Sequence, residues 1–172
     1  LDYPEQVRNL NNDIDYQNEM KFIESHKPRM KIISKILSVA KTDDNVLILC
    51  QKLDHLKNIE DHLNEFHQDW DVKIIHGGIP AKKREKIRLE IENNTRTVLI
   101  GTFGTLSTGI NVKRLHHVVF ASPSKSEIRV LQSIGRGLRT HSTKSEVILW
   151  DLIDDFRNII TRILLTLAVK KN

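Results

Sequence analysis

The chain holds 172 residues, of which 39% are hydrophobic and 28% charged, with only seven Gly and four Pro; this suits a single folded domain and excludes disordered, collagen-like and low-complexity classes. A lone cysteine, Cys50, excludes a disulfide framework and a Cys-rich zinc site and points to a reducing compartment. The net charge of +5 is uneven, −4 over residues 1–25 and +9 over the rest, a basicity compatible with phosphate-rich partners and equally with a solvated face.

The N-terminus, Leu1-Asp2-Tyr3-Pro4, has neither a basic nor an apolar leader. No apolar run approaches the roughly 18–20 residues that span a bilayer. A cytoplasmic protein is therefore expected, and a first residue that is not Met suggests a piece of a longer polypeptide. After a polar, acidic lead-in over residues 1–26, Ile32, Ile33, Ile36, Leu37 and Ala40 mark an amphipathic helix. Five short apolar runs then predict strands at Val46–Cys50, Val72–His76, Thr97–Gly101, His117–Ala121 and Val147–Trp150. Between the first two, Leu53, Leu56, Ile59, Leu63 and Phe66 recur at helical spacing. The next crossover, Pro80 to Asn93, opens with a helix-starting Pro and carries a basic surface of Lys82, Lys83, Arg84, Lys86 and Arg88. Alternating strands and helices, with nearly continuous apolar strands, imply an α/β domain around a parallel sheet covered on both faces. At the C-terminus, Phe156, Ile159, Ile160, Ile163, Leu164 and Leu167 fit an amphipathic helix over 154–172, packed on this domain or docked on another surface.

In an open parallel sheet, ligands bind beyond the carboxyl ends of the strands. There the chain places Gln51-Lys52, His76-Gly77-Gly78 and a loop from Thr102 to Asn111 rich in Gly, Ser and Thr. Such residues allow close backbone approach and offer donors to phosphate oxygens, although the same residues also make ordinary turns. Beyond the fourth run, Arg129, Gln132, Arg136 and Arg139 fall at i, i+3, i+7 and i+10, one helical stripe, while Leu131, Ile134 and Leu138 form another. A row of planar, permanently charged guanidinium groups suits a site that grips polyphosphate; a plain basic helix face is the alternative. The eight histidines, His26, His55, His62, His67, His76, His116, His117 and His141, lack metal-ligand spacing and read as surface or turn residues, and Cys50 as a small core residue.

The segment Gln132-x-x-Gly135-Arg136-x-x-Arg139 resembles motif VI of superfamily 2 helicases, and Thr102-x-Gly104-x-x-Ser107-Thr108-Gly109-Ile110-Asn111 resembles their motif V. Val46–Gln51 resembles motif IV and Ile75-His76-Gly77-Gly78 motif IVa, all in the family's order. Within the superfamily, the runs Leu115–Val119, Leu131–His141 and Trp150–Asp155 look most like the phage UvsW-type recombination helicases.

The resemblance implies a three-layer RecA-like fold, the second such domain of a helicase core, over residues 27–153. Residues 1–26 would then be the interdomain connection and 154–172 an appended helix. It implies that Arg136 and Arg139 are catalytic, reaching ATP across an interdomain cleft, with one acting as an arginine finger. Gln132, Gly109 and Asn111 would contact the nucleotide; many relatives carry Asp where Asn111 stands, and Asn can still accept a ribose hydrogen bond. Gln51, Lys52, Gly77, Thr102 and Thr105 would hold the nucleic-acid backbone, contacts that fix register without reading sequence.

The implied cofactor is ATP with Mg2+. The implied partners are DNA, with RNA also open, and the N-terminal RecA-like domain of the same polypeptide, the chain itself being a monomeric domain in the cytoplasm of a host if phage-encoded. The sequence contains no Gly-x-x-x-x-Gly-Lys-Ser/Thr phosphate loop and no acidic box after a strand. The magnesium ligands are accordingly expected from that other domain, and no ATP hydrolysis from this chain alone. A non-hydrolysing nucleic-acid- or nucleotide-binding α/β module is the alternative reading.

Overall fold

The structure, a computed structural model, describes residues 16–107, 112, 114–123, 147–155 and 160–165. Two helices, α1 (Tyr16–Ser25) and α2 (Lys27–Val39), lead into β1 (Val46–Cys50), α3 (Leu53–Phe66), β2 (Asp71–Ile75), α4 (Ala81–Asn93) and β3 (Thr97–Thr102). There follow a short helix, α5 (Phe103–Ser107), and strands β4 (His117–Phe120), β5 (Ile148–Asp155) and β6 (Ile160–Leu165). The sheet order is β2-β3-β1-β4-β5-β6. The first five strands pair in parallel and β6 is antiparallel to β5.

Pleating sends alternate side chains of one strand to opposite faces, and the core divides accordingly. On one face Val46, Ile48, Cys50, Val98, Ile100, Val119 and Ala121 meet Ile33, Ile36 and Leu37 of α2 and Leu56, Ile59 and Leu63 of α3. On the other, Leu47, Leu49, Leu99, Val118 and Phe120 meet Ile87 and Ile91 of α4 and Phe103 and Leu106 of α5. Central β1, with every residue buried, contributes to both layers. Each such Leu or Ile contributes about 1.5–3 kcal/mol when removed from water, which is why the strands read as apolar without interruption. This is the α/β, three-layer architecture expected from the sequence.

Two expectations need correction. The helix expected over 154–172 is replaced where the chain is described: β5 runs on to Asp155, and after four residues the chain returns as β6, with Asp155 opposite Ile160 and Trp150 opposite Leu165. The apolar positions fit a helical stripe, but Ile160, Thr161 and Ile163 are β-branched, and pairing with β5 satisfies backbone groups along a strand that would otherwise be a bare edge. Secondly, the loop expected over Thr102–Asn111 begins as helix α5, and residues 108–111 lie outside the described residues.

Nor are all the histidines superficial, for His55 and His117 are buried. His117 belongs to a polar knot at the amino edge of the sheet, where its Nε2 lies 3.0 Å from Asp44 Oδ2 and its Nδ1 accepts a hydrogen bond from Trp150 Nε1–H at 3.0 Å. Fully buried Asn45 completes the knot: its side-chain amide donates to the Ile91 and Asn94 carbonyls and accepts from Thr97 N–H. Burial raises the Asp44 carboxyl, but the Lys41 N–H and both neighbouring imidazoles outweigh it and hold the group below its ordinary range.

Candidate functional site

Because β1 to β4 are parallel, their carboxyl ends open on one edge. The register places Cys50 beside Thr102 and Ile75 beside Gly101, so the exits of β2, β3 and β1 are adjacent in that order. Gly77 therefore neighbours α5: a Cβ built on it would stand 3.9 Å from Thr105 Oγ1. The Thr102 and Thr105 hydroxyls share a hydrogen bond of 2.8 Å across the first turn of α5. Thr105 is buried and Thr102 half-buried, so the bond fixes the Thr102 hydroxyl against the first turn of α5.

Gly101 explains how α5 lies so close to the sheet. A Cβ there would come within 2.8 Å of Leu106 Cδ1 and 2.9 Å of Ile75 Cγ2, closer than carbon atoms pack, so only Gly lets α5 seat on β3. In the next loop, Gly78 N–H donates to His76 Nδ1 at 3.1 Å, closing a turn that leaves Gly77 exposed.

The β1 exit is held by two partners. Gln51 is exposed, but its backbone N–H donates to Ser122 Oγ at 3.2 Å, and the same oxygen lies 2.8 Å from His55 Nδ1. Burial, with the charges of Arg29 and Lys52 added, pushes the His55 imidazole down to about 3, so the ring is neutral. Half-buried Lys52 is not free: its Nζ lies 3.1 Å from Glu24 Oε1 on α1. Beneath them, Cys50 is a core thiol that burial, with the Glu24 charge, pushes up to about 12, unsuited to nucleophilic work.

The sequence reading missed Arg29, a fully buried residue on α2. Its Nη1 donates to the Ala121 carbonyl at 2.8 Å and its Nη2 to the Leu152 carbonyl at 3.1 Å, tying the end of β4 to the middle of β5. The signal was present: Arg29 stands four residues before Ile33 and His55 four before Ile59, each within an apolar stripe.

Gly109, Asn111, Gln132, Arg136 and Arg139 lie outside the described residues. The strand-end stretches 51–52, 76–79, 102–107 and 121–123 contain no carboxylate. Their amides and hydroxyls suit phosphate oxygens and not a divalent cation. Among the described residues no group of three or more His, Cys, Asp or Glu could hold a metal ion, and no helix is long and apolar enough to cross a membrane.

Comparison with known proteins places this geometry. Residues 28–141 match the helicase conserved C-terminal domain. The ATP-dependent DNA helicase UvsW of Enterobacteria phage T4 is 36% identical over 156 residues, 90% of this chain and 30% of the relative. The crystal structure of T4 UvsW superposes with a TM-score of 0.67 at 37% identity, over 83% of this chain and 28% of that one. The DEAD-box ATP-dependent RNA helicase CshB of Bacillus subtilis is 26% identical over 72% of this chain and 31% of its own length. Domain 2 of the DEAD-box helicase Mss116p, solved with an RNA duplex, shares the fold at a TM-score of 0.56 and 18% identity, over 77% of this chain and 50% of that one. The chain thus spans about a third of the length of the curated relatives it matches.

Proposed function

The chain belongs to the helicase conserved C-terminal domain family, and from that premise we propose that it is the C-terminal motor domain of an ATP-dependent helicase or translocase acting on DNA, with branched recombination or replication intermediates as substrates. The observation that carries this reading is the convergence of Gln51, Gly77 and Thr102 at the adjacent exits of β1, β2 and β3, in a sheet whose sequence matches that family. DNA is favoured over RNA because the relative at 36% identity is by name a DNA helicase.

In this reading the strand-end amides and the Thr102 hydroxyl hold backbone phosphates in register, as neutral donors can without reading bases. Arg136 and Arg139 face ATP from across the interdomain cleft, and their fixed guanidinium forks stabilise the charge that develops on the transferred phosphoryl group. Gln132, Gly109 and Asn111 position the nucleotide. ATP bound with Mg2+ supplies the cleavable phosphoanhydride, the cation being held by carboxylates of the N-terminal lobe. Closure of the lobes when the arginines engage, and release after hydrolysis, turns each cycle into a step, because both lobes hold one strand.

The test is Arg139→Ala in the full-length polypeptide that contains this chain. DNA-stimulated kcat should fall by about a thousandfold, the lower range for an arginine finger, with the KM for ATP within about threefold. Parallel losses in both would make Arg139 a binding group only. Absence of turnover with either DNA or RNA in the unmodified full-length polypeptide would leave a non-hydrolysing binding module.

A further inference from the structure

The motor reading gives no role to the buried pair of His55 and Ser122. An imidazole on the apolar stripe of a helix costs free energy unless it is hydrogen-bonded, and a leucine would fill the same position without that cost. His55 is fully buried, and its Nε2 has no hydrogen-bond partner among the described residues. Ser122 is its one polar anchor there, at 2.8 Å. That same hydroxyl oxygen, itself 1% exposed, accepts the Gln51 N–H. The exits of β1 and β4 and the first turn of α3 therefore meet at a single atom.

The meeting point stands at a boundary. Ala121 is locked, its N–H donating to the Leu49 carbonyl at 2.8 Å while its own carbonyl takes the Arg29 guanidinium. Ser122 is the next residue, and the chain that continues from it carries Gln132, Arg136 and Arg139 further along. A backbone that displaced the Gln51 amide would act on Ser122 directly, because the two share this hydrogen bond.

We propose that Ser122, seated by His55, is a positioning residue that couples nucleic-acid contact at the β1 exit to the ATP-facing arginines. The proposal rests on the motor reading and assigns a route for nucleic-acid stimulation of ATP turnover. Such a route needs evidence of coupling beyond proximity, which the test supplies.

In the full-length polypeptide, Ser122→Ala should lower kcat at saturating single-stranded DNA about tenfold, a coupling of ordinary size. Basal turnover, the KM for ATP and the Kd for DNA should stay within about twofold. His55→Leu should give the same loss, and the double variant no further loss, because both remove one link. Unchanged stimulation in Ser122→Ala, additive losses in the double variant, or a Kd weakened in step with kcat would each overturn the proposal. Should Ser122→Ala melt below the assay temperature, the nearly isosteric Ser122→Cys carries the same comparison. Failure of the motor reading is distinct, since the unmodified polypeptide would then show no stimulated turnover to lose.

Discussion

A neutral imidazole and a guanidinium sit, fully buried, where the helical pattern reserves places for aliphatic side chains. For His55 this has a sign that can be measured. Its pKa falls from an ordinary 6.5 to about 3 on folding, so between those values the unfolded chain binds more protons and stability declines as pH drops. At about pH 5 the loss attributable to this ring is about 2 kcal/mol relative to neutrality. Asp44, held below its ordinary 3.8, stays ionised between about pH 7 and pH 5 and does not mimic the effect there. Urea denaturation at about pH 7 and pH 5 should show the wild-type chain losing more stability than His55→Leu by that amount; equal losses would mean that the ring is hydrated or paired when protonated. The stripes of α2 and α3 made the burial of Arg29 and His55 legible. Their partners were not, because Ala121 and Ser122 lie 92 and 67 residues away and become neighbours only through the pairing of β1 with β4.

At the scale of the elements, the legible parts are those where burial alone decides. β1 is apolar and buried throughout, and β4 is buried throughout and apolar beyond His117, so composition and position agree. β6 was misread because spacing at i, i+3, i+4 and i+7 belongs to a helix, whereas the outcome depends on whether β5 offers a partner edge, a fact no local window contains. The seating of α5 on β3 is likewise a tertiary fact resting on one residue. Gly101→Ala should cost about 1–2 kcal/mol, because the added carbon meets stiff, β-branched Ile75 as well as Leu106. The measurement is the urea midpoint at constant m-value, and an unchanged midpoint would show that α5 shifts without cost.

Over the whole molecule, chemistry is sorted by edge. The exits of β1 to β4 offer amides and hydroxyls, with no acid in stretches 51–52, 76–79, 102–107 and 121–123, and the amino edge ties Asp44, Asn45, His117 and Trp150 into a closed knot. In the proposed reading a chain whose sequence holds no phosphate loop is half of a catalytic site. The isolated chain, purified, should therefore hydrolyse ATP at the protein-free background with or without saturating DNA; measurable DNA-stimulated turnover would assign it the missing machinery. Arg136 and Arg139, outside the described residues, are read from spacing and family resemblance alone, and what they approach in the proposed reading depends on a second lobe that the spacing of this chain does not encode.

The reversal at β6 decides how the domain is tethered. Leu165 lies opposite Trp150, which is level with Val119 and Ile48, so β6 ends beside the middle of β1, heading from the carboxyl ends of the parallel strands toward their amino ends. The separation from the β1 exit is lateral: β6 is three strands from β1 in the sheet order, roughly 14 Å at the usual strand spacing. A fluorophore or affinity handle joined at that point would sit at the outer edge of the sheet, beside and not upon the exits of β1, β2 and β3.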